Sequence, residues 1–82
     1  MTTKQKKVAD LIVNALKGKV EKNNCKDLED VLFKEGIGPS EMLSSAALNA
    51  GYSKGVVNNI SVGGDYSFRL FDAIQEYVFD NI

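Results

Sequence analysis

The sequence predicts a single all-α domain over residues 1–82, a compact bundle of about five helices. Three observations predict it. Apolar residues recur at spacings of three and four in segments separated by short polar or glycine-containing breaks. Alternation of the strand kind is nowhere sustained. A hydrophobic content of 44% with 26% charged residues is that of a chain that packs a core rather than one that stays disordered. Eighty-two residues suffice for one such core without obligatory disulfides or metals.

In the first segment Val8, Leu11, Ile12, Ala15, Leu16 and Val20 fall on one stripe, which predicts an amphipathic helix from about residue 3 to 21. Lys4, Lys6 and Lys7 stand in its first turns, where the helix dipole disfavours positive charge, so this end is expected to fray or to seek an anion. The run Asn23-Asn24-Cys25-Lys26 breaks the pattern. Asp27 then caps a second helix through Leu28, Val31, Leu32 and Phe33, closed by Gly36 in the left-handed conformation.

Pro39 suits the first position of a third helix, whose inward face is Met42, Leu43, Ala46, Ala47 and Ala50. Gly51-Tyr52-Ser53 interrupts it. Ser53 caps a short fourth helix with Val56, Val57 and Ile60 inward. After Gly63-Gly64-Asp65, Ser67 is placed as the cap of a last helix lined by Leu70, Phe71, Ile74, Tyr77, Val78 and Ile82.

Composition narrows the chemistry. There is no histidine, and Cys25 is the single cysteine, so the usual zinc ligand sets and the Ser-His or Cys-His nucleophile pairs cannot be assembled. The chain is read as a non-enzyme that needs no cofactor and no metal. Lysines interrupt every apolar stretch, which argues against a membrane span or a signal peptide and for a cytoplasmic protein. The net charge of −1 is divided unevenly: residues 1–25, an amphipathic basic segment, carry +4, and residues 26–82 carry −5. A basic end can orient the domain on a polyanion, whereas an acidic body opposes general nucleic-acid binding.

The informative stretch is LSSAALNAGYSKGVVNNISV, residues 43–62. A small residue at Ala47 lets two helices approach, Gly51 turns the chain without a Cβ penalty, and Val57 with Ile60 fill the angle between the helices. This spacing resembles the helix-turn-helix of phage repressor and Cro-like proteins. GGDYSFRLFDAIQEYV resembles the helix that follows the recognition helix in that family, so the resemblance covers about half the chain, residues 40–79.

The resemblance implies a small DNA-binding regulator of phage or mobile-element type, acting as a homodimer on two half-sites of double-stranded DNA. It implies that the helix near 53–60 enters the major groove, with Ser53, Lys54 and Gly55 and then Asn58 and Asn59 facing the bases. Asparagine can bond the N6 and N7 edge of adenine, and lysine can reach guanine acceptors or a phosphate. Ser44 and Ser45 in the preceding helix would donate to the DNA backbone. Lys17, Lys19 and Lys22 form a candidate phosphate patch, although a lysine-rich face is ordinarily a solvated one. The chain departs from the family in having one arginine, Arg69, and one cation in the recognition helix.

A second reading uses the same fold without DNA. Acid-rich residues 27–41 and 65–80 would then meet a basic protein partner, making the chain an inhibitor or adaptor. In either reading Val8, Leu11, Ile12 and Leu16 can pair with a twin helix. The aromatics Tyr52, Tyr66, Phe68, Phe71, Tyr77 and Phe79 are assigned to the core rather than to a stacking platform.

Overall fold

The computed structural model describes residues 1–19 and 27–82. The elements are α1 (Thr3–Leu16), α2 (Leu28–Lys34), α3 (Pro39–Ala50), α4 (Lys54–Ser61) and α5 (Asp65–Asn81), with no strand among the described residues. The all-α class and the five helices are as the periodicity predicts.

The start of α1 is held by its own side chains. Thr2 Oγ1 accepts from the Gln5 amide at 3.1 Å while Gln5 Oε1 accepts from the Thr2 amide at 2.9 Å, a reciprocal box that satisfies donors the first turn leaves open. The turn that carries Lys4, Lys6 and Lys7 is thus capped from within. At its other end α1 stops at Leu16, short of residue 21. Gly18 takes a φ of 78° and the Lys19 amide bonds back to the Leu16 carbonyl at 3.0 Å. Val20, the Asn23–Lys26 break and Cys25 lie outside the described residues.

Asp27 caps α2 as expected, its Oδ1 accepting from the Asp30 amide at 2.8 Å. A second acceptor comes from far along the chain: Gln75 Oε1 takes the Leu28 amide at 3.0 Å. Three helices end in one device, a 6→1 and a 5→2 backbone bond around a left-handed glycine. For α2 these are Ile37 to Leu32 and Gly36 to Phe33; for α3, Tyr52 to Ala47 and Gly51 to Leu48; for α4, Gly64 to Asn59 and Gly63 to Ile60. The cap of α5 departs from expectation. Gly64 precedes the helix, and Ser67 lies buried inside the first turn, its hydroxyl donating to the Gly64 carbonyl at 2.7 Å.

The core joins all five helices. Val8, Ile12 and Leu16 of α1, Leu28 and Leu32 of α2, Leu43 and Ala47 of α3, Ile60 of α4, and Ile74 and Val78 of α5 are fully buried. Helix α1 packs against α3 and α5, and α4 bridges α3 to α5. The apolar stripe of α1 is therefore consumed within the chain: Leu11 alone of the four residues assigned to a twin helix reaches solvent, at 36% exposure. A coiled-coil partner on that stripe is ruled out by the packing. Burying Ile60 contributes roughly 1.5–3 kcal/mol, and it is the fully buried residue that ties α4 down. Phe33, in the run through which the second helix is expected to pass, is 76% exposed, while Leu28, Val31 and Leu32 are buried.

A polar clasp closes α5 onto α1. Tyr77 Oη donates to Asp10 Oδ1 at 2.6 Å, and Lys6 Nζ donates to Asp10 Oδ2 at 3.1 Å. The Tyr77 hydrogen bond, and then that of Lys6, hold the Asp10 carboxyl below its ordinary range.

Candidate nucleic-acid interface

The α3–α4 unit is built around Gly51. Its φ of 95° is open to glycine and strained for any residue with a Cβ, and it places the α3 carbonyls within reach of the Gly51 and Tyr52 amides. The chain leaves that cap extended at Ser53, whose Oγ accepts from the Val56 amide at 3.3 Å and starts α4. Ala47 and Ile60 are fully buried between the elements, with Val56 and Val57 half-buried beside them.

This packing sorts the candidate residues. Ser53, Lys54, Gly55 and Asn58 are exposed, and Lys54 and Asn58 stand one helical turn apart on the outer face of α4. Asn59 differs: it is half-buried, and its Oδ1 accepts from the Tyr66 amide at 3.0 Å, so its carbonyl serves the start of α5. What it keeps for a ligand is its NH2 group. In α3, Ser45 is exposed, whereas Ser44 is half-buried with its Oγ donating to the Glu41 carbonyl at 3.1 Å.

Charge reinforces the sorting. From Met42 to Gly64 there is no acidic residue in a chain that has 11, and Lys54 is the one formal charge in that stretch. A second cation arrives from α1. Lys4 Nζ lies 5.6 Å from the centre of the Tyr52 ring, a cation–π placement that seats it beside the Gly51 turn. Of the six aromatics assigned to the core, Tyr66 and Phe68 are 47% and 58% exposed, Tyr52, Tyr77 and Phe79 are half-buried, and Phe71 is buried. Lys4 and Tyr52 carry no local signal of this pairing, because they meet only through the packing of α1 on α3.

Lys17 and Lys19 are exposed in the turn that follows α1. Thirteen residues of helix and turn place them about 20 Å from Lys4 along the helix direction, so they do not extend its patch; Lys22 lies outside the described residues. The acids gather on the α2–α5 side, where Asp27, Glu29 and Asp72 line a cavity of about 250 Å³ with Phe68, Phe71 and Gln75. Among the described residues no group of three or more His, Cys, Asp or Glu is arranged to hold a metal ion, and no helix is long and apolar enough to cross a membrane.

No family model, no curated protein and no solved structure matches the chain.

Proposed function

We propose that the chain is a small DNA-binding regulator of phage or mobile-element type in which α3 and α4 act as a helix-turn-helix. The outer face of α4 enters the major groove, Asn58 and Lys54 bond base edges, and Gly55 lets the backbone come close. Lys4 and Ser45 hold phosphates on either side of the turn. One observation carries this reading. The acid-free stretch Met42–Gly64 presents Ser53, Lys54, Gly55 and Asn58 to solvent, and the Lys4 ammonium is docked on Tyr52 of the same stretch.

Lys4 is then the one phosphate-holding cation of each protomer, which is few. Counterion release gives a salt slope of about −1 in log K against log salt for one copy and about twice that for a dimer. Affinity of regulatory strength therefore calls for two copies on two half-sites, joined through a surface other than the buried stripe of α1. Selection of bound duplexes from a random pool tests the reading. An enriched sequence whose binding weakens with salt, and is lost in Lys54→Ala and Asn58→Ala, supports it; no enrichment and no salt-dependent binding removes it.

The acidic cavity favours a second reading, an interaction module for a basic protein. Asp27, Glu29 and Asp72 surround it, and the 58% exposed ring of Phe68 offers an apolar anchor at its edge. Enrichment of a basic protein segment from a peptide library, abolished by Asp72→Lys, would favour this reading over DNA.

A further inference from the structure

A groove of about 200 Å³ opens where the start of α1, the inner side of α4 and the start of α5 converge. Val56 and Leu70 give it apolar surface over the buried Ile60, Tyr52 and Tyr66 contribute aromatic rings, and Gln5 and Arg69 complete the lining. The volume suits one ring with a short substituent: a cavity of roughly 150 Å³ holds benzene, and drug-sized ligands take about 300 Å³ or more.

The polar groups of the lining select the sign of that substituent. Arg69, the one arginine of the chain, makes no ion pair or hydrogen bond among the described residues, and a guanidinium is a donor in all its polar positions. The Oε1 of Gln5 is taken by the Thr2 amide, which leaves its NH2, again a donor. Lys4 lies over the Tyr52 ring at the groove's edge and adds positive potential. No carboxylate is among the lining residues. A site of donors and cations over an apolar floor calls for an acceptor that is anionic, and the planar fork of arginine matches a carboxylate.

We propose that this groove is a binding site for a small planar aromatic carboxylate. The ring packs on Val56 and Leu70 between the two tyrosines, and the carboxylate pairs with Arg69. The site stands on its own lining and does not depend on what the outer face of α4 contacts.

Benzoate and phenylacetate are the probes, titrated into the full chain and followed by amide and aromatic NMR shifts. Benzyl alcohol and benzylamine supply the ring without the negative charge, and acetate supplies the charge without the ring. Saturable shifts centred on Tyr52, Ile60 and Tyr66 are expected for the two aromatic acids. Affinity should fall by on the order of tenfold or more in Arg69→Gln, whose site is exposed and whose fold should persist. A second variant, Tyr66→Ala, should weaken benzoate and leave the response to acetate unchanged. Equal binding of benzylamine and benzoate, shifts centred elsewhere, or no saturation by either acid at millimolar concentration overturns the proposal.

Discussion

Asn59 lies across Gly64, and its side-chain carbonyl accepts the Tyr66 amide at 3.0 Å. That amide belongs to the first turn of α5, where the helix supplies no partner and the Gly64 cap has no side chain to offer one. A Cβ at Gly64 would overlap the Asn59 amide and push it off its partner. Asn59→Ala and Gly64→Ala should therefore each cost about 1–2 kcal/mol, like the loss of a helix cap. Because both break one bond, the double variant should cost less than the sum, which urea denaturation of the four proteins measures.

Gly51 in the α3–α4 turn and Gly55 within α4 should respond in opposite directions. Gly51→Ala puts a Cβ into left-handed backbone and should destabilise by about 1–2 kcal/mol. Gly55 sits inside α4 with open space around it, so Gly55→Ala should raise stability by up to about 1 kcal/mol. If α4 approaches DNA closely, the same change weakens binding while the denaturation midpoint climbs. A variant that is more stable and binds less cannot be explained by unfolding.

Ile60 is the fully buried anchor of α4. Ile60→Ala should cost about 2–5 kcal/mol, against a total of roughly 4–12 kcal/mol for a chain this size, and Ile60→Val about 0.5–1.5 kcal/mol. Thermal denaturation with amide exchange over residues 54–61 checks both. The valine variant is expected to keep the fold with faster exchange confined to α4.

The caps and the periodic faces were legible because they are local. Asp27, Gly36, Pro39, Gly51 and Ser53 each act within a few residues, and all five stand where their chemistry predicts. Placement departs from the local signal where a distant element decides. Ser67 has the chemistry of a cap, yet the Asn59 bond to Tyr66 helps begin the helix earlier, at Asp65. Of the candidate surface, Ser53, Lys54, Gly55 and Asn58 could be found on their own helix. Lys4 could not, since its place beside Tyr52 exists only after α1 has packed on α3.

The Asp10–Tyr77–Lys6 clasp should give stability two pH edges. Asp10 is lowered by the Tyr77 and Lys6 hydrogen bonds, so its contribution is present above the ordinary carboxylate value and is lost as pH falls through its depressed value. Lys6 and Tyr77 are raised, each first by its hydrogen bond to Asp10. Their contribution is present below their ordinary values and disappears as pH climbs through the raised ones. Asp10→Asn should flatten both edges in a series of urea midpoints below about pH 4 and above about pH 10. Phenolate absorbance should show Tyr77 titrating above the ordinary tyrosine value in the parent chain and moving back toward it in the variant.

Amide shift mapping during titration with the duplex that a random pool enriches tests whether the outer face of α4 contacts DNA. The prediction is that salt-sensitive shifts centre on Ser53, Lys54, Gly55 and Asn58 with a second focus at Lys4 and Tyr52, while Asp27, Glu29 and Asp72 stay still. Shifts centred instead on the acidic cavity, or none along α4 at low salt with any duplex offered, would contradict it.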